Sequence, residues 1–124
     1  MSVITITLTD HPPVRVSEDS WPVTATASTW EGQYEFQAFR RARVSVRQHD
    51  DGRTVVYGWH STDYPRERDS AAGMLLHRDT EGAIVEAIRA VAERIGHPEL
   101  AAECIGDLPP VDVDVALPPR AAVA

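Results

Sequence analysis

From Val3 to Thr9 apolar and hydroxyl side chains alternate: Ile4, Ile6 and Leu8 fall on one face, Thr5 and Thr7 on the other. β-Branched residues at period two predict a strand. Asp10-His11-Pro12-Pro13 is expected to end it, because proline has no amide donor and biases the residue before it. Val14-Arg15-Val16 then reads as a short second strand, folded back on the first as a hairpin partner. Ser17 to Ser20 reads as a turn. Residues 23–29 alternate again, Val23, Ala25 and Ala27 against Thr24, Thr26 and Ser28, which favours a third strand. Trp30-Glu31-Gly32-Gln33 reads as a turn.

The clearest unit spans residues 34–62. A run from Tyr34 to Gln48 meets His49-Asp50-Asp51-Gly52 and returns from Arg53 to His60. Asp-Gly between two alternating runs predicts a hairpin, since glycine supplies the positive φ of the turn. On the outgoing strand Ala38, Ala42, Val44 and Val46 share parity, opposite Arg41, Arg43, Ser45 and Arg47. On the return strand Val55, Tyr57 and Trp59 share parity. A turn centred on Asp51-Gly52 sets Val46 across from Tyr57 and Val44 across from Trp59. That register makes one buried face and one basic face, with Trp59 in the core. A shift of one would set Arg43 against Trp59 and Val44 against Gly58.

Residues 61–79 are rich in charge around Pro65 and read as an exposed connection; Gly73 to His77 within it fits either a short strand or a tucked turn. Residues 80–95 carry a helical stripe of Ile84, Ile88, Val91 and Ile95, widened by Val85 and Ala92. Asp79 or Thr80 is the expected cap, Glu81 suits the positive helix end, and Gly96 and Pro98 end the helix. Pro98 opens a second short helix through Ile105. The expected fold is α+β, a single domain over residues 1–108. An antiparallel sheet in the N-terminal two-thirds is covered on one face by two C-terminal helices, and residues 109–124 form an extended or disordered tail.

Composition narrows the chemistry. The 124 residues contain twelve Arg and no Lys against nineteen Asp plus Glu, a formal charge of −7. No lysine means no phosphate-loop lysine, Schiff base or lysine general base. The acidic balance opposes attraction of the whole molecule to nucleic acid or anionic lipid. The single cysteine, Cys104, excludes an internal disulfide framework and multi-cysteine metal sites. The N-terminus carries no basic region and no stretch approaches a membrane span, so the expected location is cytoplasmic.

Candidate sites are few. His49 and His60 lie at opposite ends of the predicted hairpin, and His11 and His97 each precede proline, a turn position. A site built from His60, Asp63 and His77 is conceivable if the connection folds back, but no metal-ligand spacing supports it. Cys104 reads as a core residue rather than a nucleophile. Trp21 and Trp30 read as braces for loops. Arg40, Arg41, Arg43, Arg47 and Arg53 are the one basic concentration. Phe39 shares a face with Arg41, Arg43 and Arg47, a composition suited to interface anchors.

Ile4-Thr5-Ile6-Thr7-Leu8, Pro12-Pro13-Val14-Arg15-Val16, Trp21-Pro22-Val23, the run Val46 to Arg53 and Val56-Tyr57-Gly58 together resemble a family of small proteins of bacteriophages and integrative elements of GC-rich proteobacteria. The resemblance spans most of the chain, and no activity is attached to it. It implies an accessory gene of a mobile element. Small acidic proteins of that origin often bind a host protein, anti-CRISPR inhibitors among them. The expected function is therefore non-enzymatic: binding of a host protein or complex with an acidic patch through Phe39, Arg41, Arg43 and Arg47. The alternatives are a nucleic-acid binder using the basic sheet face, and a small metal-dependent or hydrolytic enzyme. No catalytic residue, metal or cofactor is expected.

Overall fold

The computed structural model describes residues 2–33, 38–77 and 82–110, with Gln33 by its backbone alone. The expected helix caps Asp79 and Thr80, with Glu81, and the tail beyond Pro110 lie outside the described residues. The elements run β1 (Val3–Leu8), β2 (His11–Ser17), β3 (Val23–Gln33), β4 (Ala38–Gln48), β5 (Thr54–Thr62), β6 (Ser70–Leu76), α1 (Ala83–Arg94) and α2 (Glu99–Gly106). The fold is α+β, as the patterning indicates. β3-β4-β5-β6 form an antiparallel meander, and β1-β2 form a separate two-stranded sheet.

The meander has two working faces. Ala25, Ala27, Ala42, Val44, Val46, Val56 and Ala72 line one face and pack against Ile84, Ala87, Ile88, Val91, Ala92 and Ile95 of the α1 region and Leu100, Ala101 and Cys104 of α2. The small sheet residues let the helices approach closely, and this layer is the main core. The opposite face is half covered by the β1-β2 hairpin, which packs Ile6, Leu8, Val16 and Trp21 on Val55, with Tyr57 and Leu75 beside them. Gly73 makes that crossing possible, because a Cβ there would run into the Thr7 carbonyl. The Thr9 amide donates to the Gly73 carbonyl at 2.8 Å, pinning β1 across β6.

Four expectations need correction. The β4-β5 register is the alternative one: Val44 faces Gly58, Val46 faces Val56, and Arg43 faces Trp59. The turn is not a two-residue Asp51-Gly52 turn. Gly52 N–H donates to the His49 carbonyl at 3.0 Å and His49 N–H to the Arg53 carbonyl at 2.9 Å, closing a three-residue loop. Gly52 takes φ 95°, the left-handed conformation that such a loop requires at its last position. The extra residue moves every return-strand side chain to the other face. Tyr57 and Trp59 therefore lie opposite Val44 and Val46, and Trp59 is half-buried rather than core. Gly58 takes the place under α1, where an added Cβ would sit 3.0 Å from Val91 Cγ1 and 3.2 Å from Ile95 Cδ1.

The other three corrections follow from local geometry. Pro12 and Pro13 lie inside β2, tolerated because that strand has a neighbour on one side only. The expected turn at residues 30–33 is the end of β3, whose Gly32 lies under the rings of Phe39 and Trp30. Residues 70–76 form the strand β6 inside the expected connection. Trp21 is buried among β1 and β2 residues and does brace a loop: its ring lies 5.2 Å from that of His49 and 5.2 Å from the Arg53 guanidinium, on either side of the β4-β5 turn.

α1 ends as the Gly96 signal implies. Gly96 has φ 83°, its amide donates to the Glu93 carbonyl at 3.0 Å, and the His97 amide donates to Ala92 at 2.9 Å. This paired closure satisfies the last carbonyls and directs the chain into Pro98 and α2. Ile88 has no solvent exposure and Arg89 is exposed. Ile88→Asp should unfold the domain, because an unpaired buried charge costs several kcal/mol against a total stability of about 5–15 kcal/mol. Arg89→Asp should shift the melting temperature by only a few degrees in circular-dichroism melts; equal shifts would place the stripe wrongly.

Candidate functional site

The sheet face opposite the helices carries two different ends. At the β4-β5 turn the hairpin covers it. At the far end the register sets Trp30 beside Arg41 and Gly32 beside Phe39 on β3-β4, and Arg43 beside Trp59 on β4-β5. These five side chains alternate aromatic and cationic across three strands. Strand spacing of about 4.8 Å and a repeat of about 6.7 Å per two residues place them within one compact patch. Trp30 is 49% exposed. Arg41 and Arg43 are exposed, and Phe39 and Trp59 are half-buried. The Trp30 and Phe39 rings lie 5.4 Å apart at 30°. Their packing over Gly32 fixes both rings, since the glycine leaves room for them directly on the backbone.

Of the five arginines concentrated here, three have internal partners. Arg40 donates from Nε to Glu67 Oε1 at 2.7 Å and from Nη1 to Glu31 at 3.1 Å, and its guanidinium lies 3.9 Å from the Tyr64 ring centroid. The hydrogen bond from Arg40 holds the Glu67 carboxyl below the usual range. Arg53 donates to Asp51 at 2.7 Å beside the turn. Arg47 shares the face of Phe39, Arg41 and Arg43, yet it is not exposed with them. Its Nε donates to the Tyr57 hydroxyl at 2.8 Å, its Nη1 to the Trp21 carbonyl at 2.9 Å, and its Nη2 lies 3.6 Å from Glu18; the side chain is 11% exposed. Arg47 thus ties the hairpin and its following turn to the sheet. Among the described residues, Arg41 and Arg43 form no ion pair.

The alternative constellation of His60, Asp63 and His77 does not converge. Asp63 and His77 are exposed, and the Asp63 amide donates to the Phe39 carbonyl at 2.9 Å. His60 instead meets His97: His60 Nδ1 and His97 Nε2 are 2.8 Å apart, with ring centroids 4.9 Å apart. His97 Nδ1 is 2.9 Å from Glu99 Oε1. The carboxylate can only accept, so His97 donates from Nδ1, and its Nε2 then accepts from His60 Nδ1. The hydrogen bond from His97 draws the Glu99 carboxyl below its usual range. This chain was not readable in advance. Gly96-His97-Pro98 marks the turn that places His97, but nothing in the spacing says that β5 meets it there.

Cys104 is fully buried, and burial, with a smaller contribution from Asp107, pushes its thiol up to about 11. It is a protonated core residue at neutral pH. Among the described residues, no three or more His, Cys, Asp or Glu side chains converge on a common point. No helix among them is long and apolar enough to cross a membrane. No protein-family model matches the chain, and neither a curated protein nor a solved structure matches it.

The division among the arginines has a direct consequence for stability. Arg47→Ala should cost about 1–3 kcal/mol in urea unfolding, because it removes two part-buried hydrogen bonds from a charged donor. Arg41→Ala and Arg43→Ala should each stay within about 0.5 kcal/mol. Equal losses at all three positions would contradict the assignment of Arg47 to the fold and of the other two to the surface.

Proposed function

We propose that this chain is a non-enzymatic binding protein of the cytoplasm, an accessory product of a mobile element that docks on a host protein. The docking surface is the Trp30, Phe39, Arg41, Arg43 and Trp59 patch, and the partner presents carboxylates to the two arginines. An inhibitor of a host defence complex is the form of this function that the resemblance implies. The observation that carries the reading is that Arg41 and Arg43 make no ion pair among the described residues, in a chain whose acids outnumber its arginines nineteen to twelve.

Three physical points support it. Aromatic and arginine side chains supply most of the binding energy in protein interfaces. Side chains held on a sheet lose little entropy on docking. Arginine presents a planar fork of donors that matches a carboxylate in two contacts. Symmetric pairing of two copies through this patch would oppose arginine to arginine, which favours a different partner. Stacking faces beside arginines also suit single-stranded nucleic acid, and salt separates the two readings: phosphate contacts weaken steeply with ionic strength.

Arg41→Glu with Arg43→Glu should leave the melting temperature nearly unchanged and abolish capture of the partner from host lysate. Arg15→Glu with Arg89→Glu, an equal charge change on exposed positions elsewhere, should retain it. Equal capture by both double variants would remove the patch from the interaction. Tight, steeply salt-dependent binding of a single-stranded oligonucleotide, lost in the first variant alone, would replace the protein partner with nucleic acid.

A further inference from the structure

We propose that His60 and His97 form the inner shell of a site for a divalent transition-metal ion, with Glu99 orienting His97 from outside it. The site lies away from the sheet patch, where the end of β5 meets the turn between α1 and α2. Two imidazole nitrogens bound to one ion at about 2.0–2.1 Å, with an angle of 90–110° between them, stand about 2.8–3.4 Å apart. His60 Nδ1 and His97 Nε2 stand 2.8 Å apart. The separation already matches, and a rotation of the two rings that turns both lone pairs toward a common point converts one arrangement into the other.

The tautomers are already half set. Glu99 accepts from His97 Nδ1, which leaves the His97 Nε2 lone pair aimed at His60. Ligand histidines characteristically donate their second nitrogen to a carboxylate in this way, which fixes the ring and raises its basicity. In the metal-free chain a proton on His60 Nδ1 bridges the two rings. For an ion to enter, His60 moves that proton to Nε2 through solvent. Both rings stay neutral, both lone pairs face the ion, and no net proton is released.

Access and charge are favourable. His60 is half-buried and the His97 side chain is 18% exposed, so an ion can arrive from solvent. The Glu99 carboxylate, bound to His97, favours a cation there. Water completes the coordination. Imidazole donors select Cu²⁺, Ni²⁺ and Zn²⁺ over Mg²⁺ and Ca²⁺, with Cu²⁺ the tightest. His97 is carried on the paired closure of α1, and His60 on a strand paired on both sides, so the two donors are held by rigid elements.

The test is calorimetric titration of the chelator-stripped full chain with CuCl₂, NiCl₂, ZnCl₂ and MgCl₂ at pH 7.5. One Cu²⁺ per chain is expected, bound more tightly than Ni²⁺ or Zn²⁺, with no Mg²⁺ uptake. His60→Ala and His97→Ala should each weaken Cu²⁺ binding at least tenfold, Glu99→Gln by about 10–100-fold, and His77→Ala not at all. Electron paramagnetic resonance of the wild-type Cu²⁺ complex should show two coordinated imidazole nitrogens, a readout that needs no variant to fold. Absence of stoichiometric uptake, uptake unchanged by either His60→Ala or His97→Ala, or a spectrum with one nitrogen would overturn the site.

Discussion

The arrangement of this molecule depends on how the β4-β5 loop closes. Side chains alternate between sheet faces, so a change of one residue in the pairing exchanges every residue of the return strand between two environments. The loop Asp50-Asp51-Gly52 closes on Gly52 in the left-handed conformation and pairs Val44 with Gly58. That choice puts the residue without a side chain beneath α1 and sends Tyr57 and Trp59 to the other face. Had Trp59 occupied the Gly58 position, Val91 and Ile95 could not approach the sheet. Helix packing and loop geometry thus require the same register.

With that register, the helix layer covers one apolar face, and the other face carries apolar and aromatic side chains interleaved with arginines. The β1-β2 hairpin covers part of the second face, around Val55, Tyr57 and Leu75. It stops short of Trp30, Phe39 and Trp59. Arg47 marks the boundary: it lies on the same face as Arg41 and Arg43, but the Tyr57 hydroxyl and Trp21 carbonyl hold it under the hairpin. Residues of one parity on one strand therefore divide into structural and surface groups according to what lies over them.

The helix layer ends in a similar division. Small residues on the sheet, such as Ala25, Ala42 and Ala72, bring α1 and α2 close, and Cys104 is sealed beneath them. At the edge of that layer the turn after α1 carries His97 over the end of β5, where His60 points to the helix side by the same parity that places Gly58 there. The contact joins residues 37 positions apart. It arises from the same close approach of α1 to β5 that excludes a side chain at position 58.

Local physics was sufficient for much of this. The strands at Ile4-Ile6-Leu8, Val44-Val46 and Val55-Val56, the helix stripe through Ile88, and the Gly96 stop all follow from periodicity and backbone preference, and α+β architecture follows from their order. Surface exposure of Arg41 and Arg43 also follows from parity. What only the tertiary structure decided is how strands and layers meet. Asp-Gly is compatible with loops of two or three residues, and the choice rests on packing against α1. Gly32 and Gly73 resemble turn signals, yet each serves a close approach, one by aromatic rings and one by the β1 backbone. Arg47 and Arg43 are alike in sequence terms and differ by the hairpin above one of them. His97 was legible as a turn residue, while its partner was not, because a contact across the fold leaves no local period or spacing to read.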